Sequence, residues 1–281
     1  MRAFEYVEPA TLAEASALLR RCGGHASVVA GRTDPLAINE SHRHPAQVIN
    51  IEKIPGMGVL AFDPSEGLRI GALVTTREIE NSEVVQRHYA SLAKSVMVCA
   101  SVQMRYRATV VGNVCRPSPS ADRLAPLIAD RASVQLYGLS GSRSMSVEAL
   151  VAGAGKTVLE PDEIVSHLII PAPRPHTAKA YLRHARRIAA LGVAVSITIE
   201  AGRCTDVSIV LAGVGPIPIR AVHAQAVLRG RPVSAALVLQ AAHIAMEDAR
   251  PLMDVRATAD YRRQMVSVLT RRALQDALET L

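Results

Sequence analysis

Residues 107–122 read RATVVGNVCRPSPSAD, a β-branched run that ends abruptly at Gly112-Asn113 and passes through a Pro/Ser turn to Asp122. Nothing in this stretch looks like a catalytic triad or a metal site. Glycine lets the backbone approach an anion closely and adopt positive φ, so main-chain N–H groups at such a turn can bind phosphate. A second turn of this kind, Ala30–Asp34, follows a predicted strand. Either turn alone is a weak signal, because most glycine-containing turns bind no ligand.

The composition limits the classes of protein to be considered. The chain has 281 residues, which predicts two or three subdomains. Hydrophobic residues make up 49% and charged residues 20%, as is typical of a folded globular protein. There are 2 Phe, 6 Tyr and no Trp, which argues against single-stranded nucleic-acid binding through aromatic stacking. The net charge of +7 favours anionic ligands or partners, and nucleic acid ranks low among them.

The four cysteines are far apart and match no metal or redox motif, so no metal site is predicted. The N-terminus has no apolar region of the signal-peptide kind. No apolar run approaches the roughly 20 residues of a membrane span. These features predict a cytoplasmic protein.

The hydrophobic pattern predicts three regions, 1–56, 57–173 and 174–281, with residues 171–175 as the clearest linker. The first region is predicted to be a β-α-β unit whose helix begins at the capping pair Thr11 and Glu14 and ends at Gly23. Its strands are predicted at 27–30 and 47–51. The second region is predicted to contain strands 58–62, 68–72, 133–137 and 164–170, with a broken helical stretch from Thr75 towards Ser101.

The third region is predicted to begin with a three-stranded antiparallel meander. Its strands are predicted at 180–185, 191–199 and 206–211, and its helices at 221–228, 235–247 and 259–278. Residues 153–157, GAGKT, end like a P-loop, but the pattern requires a glycine where Leu150 stands. We therefore expect a short helix over 146–151 followed by a surface turn, and no nucleotide triphosphate site.

Five motifs in order along the chain resemble the FAD-binding medium subunit of the molybdenum hydroxylases, the family of carbon monoxide dehydrogenase and xanthine dehydrogenase. The family typically opens F-x-Y-x-x-P-x-S/T-L-x-E-A, and its flavin loops read A-G-G-T/H-D/S and Q-x-R-N-x-G-T-I-G-G-N. A stretch closing on S-P-A-A-D follows, and the end reads Y-R-x-x-M-x-x-V-L-x-R-R-A-L. The corresponding segments here are 4–15 (FEYVEPATLAEA), 30–34 (AGRTD), 103–113 (QMRYRATVVGN), 118–122 (SPSAD) and 261–274 (YRRQMVSVLTRRAL).

The resemblance implies an α+β fold, with a two-subdomain FAD-binding (PCMH-type) α/β domain followed by a three-stranded antiparallel sheet and a three-helix bundle. It also implies an oxidoreductase subunit with two partners. A large subunit with the molybdenum cofactor oxidises the substrate, and a small subunit with two [2Fe-2S] clusters relays electrons to FAD. The flavin then reduces NAD, oxygen or a quinone. The implied assembly is a heterotrimer or its dimer.

No residue of this chain is expected to be catalytic, because the chemistry belongs to the cofactor. The resemblance places FAD between the two glycine turns, with further contacts from a strand in the third region. The residues implied to bind FAD are Ala30, Gly31, Arg32, Thr33, Asp34, Thr109, Val110, Val111, Gly112, Asn113, Ser118, Asp122 and Arg183.

The sequence departs from the family pattern at the flavin loops. Arg32 replaces a glycine, and would either bind phosphate or fill the site with its bulk. Val111 also replaces a glycine, and a β-branched residue at positive φ would be strained. Arg183 stands for a lysine, and the aspartate and aromatic residue that follow it in the family are missing. The alternative hypothesis is therefore a family scaffold with a degenerate flavin site, recruited for another ligand or for assembly.

Overall fold

The computed structural model describes residues 4–33, 45–184, 189–251, 253 and 257–281. Its first unit is a small sheet with strand order β1-β3-β2. The elements are β1 (Glu5–Val7), α1 (Leu12–Cys22), β2 (Ala26–Val29) and β3 (Gln47–Asn50). Both β1 and β2 run parallel to β3, and helix α1 connects β1 to β2. The predicted β-α-β pattern is confirmed.

Helix α1 begins and ends where the local sequence predicts. The Thr11 hydroxyl accepts a hydrogen bond from the Glu14 N–H at 3.1 Å, and the Glu14 carboxylate accepts one from the Ala10 N–H at 2.8 Å. At the other end, Gly23 adopts φ 54° and donates its N–H to the Arg20 carbonyl. This left-handed conformation is the usual reason for glycine after a helix.

The second unit is built on a five-stranded antiparallel sheet with order β4-β5-β10-β6-β7. Its strands are β4 (Leu60–Asp63), β5 (Gly67–Gly71), β6 (Ser133–Gly138), β7 (Gly141–Ser146) and β10 (Ile164–Ile170). Four of them were predicted. The sequence pattern missed β7 because this edge strand is almost wholly exposed and has no alternation of apolar residues.

Short helices and one hairpin complete this unit. The helices are α2 (Thr76–Asn81), α3 (Glu83–His88), α4 (Ala90–Met97), α5 (Val102–Arg105), α6 (Val110–Cys115), α7 (Leu124–Ala129) and α8 (Val147–Leu150). The break between α2 and α3 falls at Ser82, whose hydroxyl caps α3 by accepting from the Val85 N–H. Residues 153–157 lie in a small hairpin formed by β8 (Val151–Gly153) and β9 (Lys156–Thr157), so the predicted surface turn is confirmed.

The third unit is an antiparallel sheet with order β11-β12-β13-β14 and three helices packed on it. Its elements are β11 (Thr177–His184), β12 (Leu191–Glu200), β13 (Arg203–Ala212), β14 (Ile219–Arg220), α9 (Val222–Leu228), α10 (Ala235–Asp248) and α11 (Ala259–Leu278). The predicted meander and helices are confirmed. A fourth strand is added, which the pattern missed because two residues are too few to show alternation.

The third sheet is buried on both faces. Val193, Val195 and Ile197 pack with the three helices, whereas Ala194 and Val210 pack into the core of the second unit. One sheet therefore contributes to both hydrophobic cores, which explains why β12 and β13 read as apolar runs. In the described part of the chain, no helix has both the length and the apolar character needed to cross a membrane.

Candidate functional site

The first glycine turn lies at the carboxyl edge of the small parallel sheet, directly after β2. The carboxyl ends of parallel strands meet at one edge, which is where open α/β sheets bind ligands. Gly31 lies against the second turn, because a Cβ built on it would stand 1.8 Å from the Arg107 carbonyl oxygen. No side chain fits there. Gly31 thus brings the backbones of the two turns into direct contact.

Arg32 has a conformation that suits the glycine of the family pattern. Its φ is 54°, in the left-handed region. Its guanidinium donates to the Glu52 carboxylate and lies 3.5 Å from the Tyr6 hydroxyl oxygen. The side chain is thus paired with a carboxylate in this structure. Thr33 is half-buried beside it, and Asp34 lies outside the described residues.

Glu52 connects the two turns, although it lies outside the motifs that predicted the site. One carboxylate oxygen pairs with Arg32, and the other accepts from the Arg107 guanidinium at 2.7 Å. The Asn50 side chain also donates to it at 3.1 Å. Burial raises the pKa of Glu52, but these hydrogen bonds outweigh it and hold the pKa below its ordinary value. The available signal was the position of Glu52 just after β3, the parallel neighbour of β2.

The second glycine turn is the start of helix α6. The Thr109 hydroxyl caps it by accepting from the Gly112 N–H at 3.1 Å. Val110 and Val111 are buried in the core. Val111 is not among the residues with positive φ, so the expectation of strain there was wrong. The reason is that a capped helix start holds its residues in the ordinary helical region, and the valine side chain packs inward.

Several polar groups at these turns have no partner within the described part of the chain. The amide N–H groups of Gly31, Arg32, Thr33 and Val111 donate to no carbonyl or side chain there. The Asn113 side-chain oxygen is buried and accepts no hydrogen bond there. Such groups are usually satisfied by a ligand or water. In contrast, the Val110 N–H donates to the Val74 carbonyl, so Val110 contributes to the shape of the turn.

A second group of predicted residues meets across the interface of the second and third units. Asp122 is 4% exposed, and the Tyr181 hydroxyl donates to its carboxylate at 2.6 Å. Arg183 Nε lies 3.3 Å from the same carboxylate oxygen, and its guanidinium donates to the Val98 carbonyl. The resemblance thus indicated two residues, Asp122 and Arg183, that the structure brings together.

Tyr181 was missed, although it completes this group. Burial, followed by the charge of Asp122, raises the pKa of Tyr181 well above its ordinary value, so it remains a hydrogen-bond donor. Gly192 on the neighbouring strand makes room for the ring, because a Cβ there would stand 2.7 Å from the Tyr181 hydroxyl oxygen. Ser118 is exposed in the turn that leads to Asp122, and its hydroxyl accepts from the Ser120 N–H.

Residues 98–107 connect the two groups. The Val98 carbonyl accepts from Arg183 at one end, and Arg107 reaches Glu52 at the other. Between them, the buried Arg105 makes two hydrogen bonds to Glu80 and two to the carbonyls of residues 99 and 100. The structure therefore unites the glycine turns, Asp122 and Arg183 through one hydrogen-bonded segment.

Comparison with known proteins shows the family to which the chain belongs. The family model for the FAD binding domain in molybdopterin dehydrogenase matches residues 2–173, and the model for the CO dehydrogenase flavoprotein C-terminal domain matches residues 176–277. The chain belongs to the FAD-binding medium subunits of the molybdenum hydroxylases. FAD is the cofactor of this family of subunits, and its members are parts of oxidoreductases.

Individual relatives of this flavin subunit match along nearly its whole length. The xanthine dehydrogenase FAD-binding subunit of Escherichia coli O157:H7 is 28% identical, covering 97% of this chain and 95% of its own. The carbon monoxide dehydrogenase medium chain of Hydrogenophaga pseudoflava is 29% identical, covering 98% and 96%. A solved structure of carbon monoxide dehydrogenase from the same organism superposes with a TM-score of 0.94 at 30% identity, covering 99% of this chain and 98% of that one.

The residues of this flavin subunit fit FAD. A pyrophosphate needs main-chain donors, and the first turn offers the N–H groups of Gly31, Arg32 and Thr33, which have no partner among the described residues. The buried Asn113 oxygen needs a donor, which a cofactor hydroxyl would supply. The departures at Arg32 and Val111 remove neither feature, because one side chain turns to Glu52 and the other to the core.

Proposed function

We propose that this chain is the FAD-carrying electron-transfer subunit of a molybdenum-containing dehydrogenase, passing electrons from [2Fe-2S] clusters to an external acceptor. The observation that carries the proposal is that two turns, in contact through Gly31 and the Arg107 carbonyl, present main-chain N–H groups that have no partner among the described residues. Relatives named as FAD-binding and medium subunits support it. When bound, FAD supplies the capacity to accept and pass on electrons.

The chain's own residues would bind and orient the cofactor. The amides of Gly31, Arg32, Thr33 and Val111 would bind the pyrophosphate, and the Asn113 side chain a hydroxyl group. Asp122 and Arg183 would face the flavin side of the site, as the resemblance implies. Their mutual ion pair, together with Tyr181, holds both side chains in fixed positions. The second turn would be shaped by Thr109, Val110 and Gly112. Ala30 lies in the first turn, and Ser118 lies in the turn that leads to Asp122.

The proposed partners are a large subunit with the molybdenum cofactor and a small subunit with two [2Fe-2S] clusters, in a heterotrimer or its dimer. The support comes from relatives that are named as subunits or chains of such dehydrogenases. We also propose division of the chain into 1–56, 57–173 and 174–281, in keeping with its three larger sheets. Location in the cytoplasm stays a prediction.

The absorption spectrum of the purified protein tests the flavin site. We expect flavin bands after purification or after incubation with FAD, and their reduction by reduced [2Fe-2S] partner in the assembled complex. A matched pair of variants, Asn113→Ala and Asn81→Ala, tests the predicted contact. Only the first should lower FAD affinity, by about tenfold for a lost buried hydrogen bond. A colourless protein that takes up no FAD would instead support the degenerate scaffold.

A further inference from the structure

A cavity of about 220 Å³ lies between the second and third units, away from the glycine turns. The linker 171–174 passes over it. Asp130 and Arg131, at the end of α7, line one side, and Lys179 and Asp206 from the third sheet line the other. None of the residues predicted to bind FAD lines this cavity.

The mouth of the cavity is positively charged. Arg131 donates to both carboxylate oxygens of Asp206, at 2.7 and 2.5 Å. Arg174 and Arg229 lie 3.8 and 3.6 Å from the same carboxylate. Arg131 and Arg174 line the mouth and share this one carboxylate, whereas Arg229 contacts it from outside the cavity, so the mouth has one positive charge in excess among the described residues. A positively charged mouth favours an anion, and guanidinium groups bind phosphate with paired hydrogen bonds.

The interior of the cavity holds a buried ion pair. Lys179 Nζ lies 3.0 Å from an Asp130 oxygen, and the two side chains are 7% and 2% exposed. The ammonium also lies 4.4 Å from the centre of the Tyr89 ring. Lys179 and the Ser196 side chain, which also lines the cavity, oppose the rise in the Asp130 pKa that burial causes, but neither gives the carboxylate a well-directed hydrogen bond within the described part of the chain. A carboxylate has about four acceptor positions, so a ligand hydroxyl group can also donate to Asp130 beside Lys179.

We propose that this cavity binds a small phosphate monoester carrying a free hydroxyl group. The phosphate lies at the mouth between Arg131 and Arg174, and the hydroxyl donates to Asp130 inside. The site shares strand β11 with Arg183, since Lys179 and Arg183 lie on the same face of that strand. The two sites are nevertheless separate, because no side chain proposed to bind the phosphate monoester is also proposed to bind FAD.

Calorimetric titration of the FAD-saturated protein tests the proposal, with inorganic phosphate and glycerol 3-phosphate as separate probes. Saturation with FAD prevents the phosphate probes from binding in the flavin site. If the protein takes up no FAD, the same titration is carried out without the cofactor. We expect glycerol 3-phosphate to bind at least threefold more tightly than inorganic phosphate. Arg131→Gly should weaken both at least tenfold, and glycine suits the φ of 55° at this position. Asp206→Asn should strengthen both, because it removes the competing carboxylate.

The matched control is Arg143→Ser. Arg143 is 43% exposed against 50% for Arg131, and it too pairs with a carboxylate, that of Glu163. This variant should bind both probes within twofold of the unaltered protein. Arg174→Ser, at a position 65% exposed, gives a second measurement if Arg131→Gly does not fold. Absence of binding at millimolar concentration, equal affinity for both probes, or equal weakening in Arg143→Ser would overturn the proposal.

Discussion

At the scale of single residues, Gly31 is a position where no side chain fits unless the backbone moves. A methyl group there would stand 1.8 Å from the Arg107 carbonyl oxygen, so one of the two turns must move. We expect Gly31→Ala to lower the free energy of unfolding by about 2–3 kcal/mol, the usual cost of overpacking. FAD content, measured from the absorption spectrum, should fall to less than a tenth.

Gly58→Ala is the control for Gly31→Ala. A Cβ at Gly58 meets nothing within 4 Å, and its φ is not positive. Stability and FAD content should therefore match those of the unaltered protein in denaturant unfolding and absorbance. Full FAD retention in Gly31→Ala would show that the contact between the turns is not needed for the cofactor.

Arg105 is the residue that holds segment 98–107 in place. Its side chain is 9% exposed and pairs with Glu80 through two hydrogen bonds, of 2.9 and 3.1 Å. Arg105→Met leaves the largely buried Glu80 carboxylate with fewer partners. We therefore expect the free energy of unfolding, measured in urea, to fall by about 3 kcal/mol. Arg77→Met removes the other, more exposed partner of Glu80 and should cost less than about 1 kcal/mol. Similar losses in both variants would contradict this difference.

At the scale of elements, one face of strand β11 forms the interface between the second and third units. Lys179, Tyr181 and Arg183 alternate along the strand, and they reach Asp130 and Asp122 on either side of helix α7. The pair of Lys179 and Asp130 is buried, so removing the lysine leaves an unpaired carboxylate. We expect Lys179→Met to lower the free energy of unfolding by about 3 kcal/mol at pH 8.

The pH dependence of this loss follows from Asp130. Burial raises the pKa of Asp130 in the folded protein, although Lys179 opposes it. A raised carboxyl pKa stabilises the fold below the unfolded pKa, and this contribution is lost as pH rises through the folded pKa. Without Lys179 the pKa rises further, so the penalty of Lys179→Met should shrink by at least about 1 kcal/mol between pH 8 and pH 5. The double variant Lys179→Met/Asp130→Leu should show no such recovery in the same urea measurements.

At the scale of the whole molecule, the shared third sheet should make unfolding cooperative. Ala194 and Val210 bury one face in the core of the second unit, and Val193 and Val195 bury the other against the helices. Neither core can open without exposing this sheet. We expect one calorimetric transition, shifted as a whole by FAD, since a ligand at 100 times its Kd stabilises by about 2.7 kcal/mol. Two transitions, of which FAD shifts only one, would show that the units unfold independently.

Much of this architecture could be predicted from the sequence, because it depends on interactions between residues close together in the chain. The caps of α1, the β-α-β unit, the meander and the three C-terminal helices follow from periodicity and from residues a few positions apart. The motifs at residues 30–34 and 103–122 likewise predicted two turns that bind one ligand, and the structure brings these two turns into contact at Gly31 and Arg107. Exposed β7 and two-residue β14 escaped because neither has an apolar pattern.

The contacts that give the site its shape depended on three-dimensional packing instead. Glu52 pairs with Arg32, 20 positions away in the sequence, and with Arg107, 55 positions away. Tyr181 is 59 positions away from its partner Asp122. The direction of the Val111 side chain also depends on the packing of helix α6 against the core. Periodicity reports which face of an element is apolar, but a pairing between distant polar side chains depends on how whole elements stack, and one sequence carries no local trace of that.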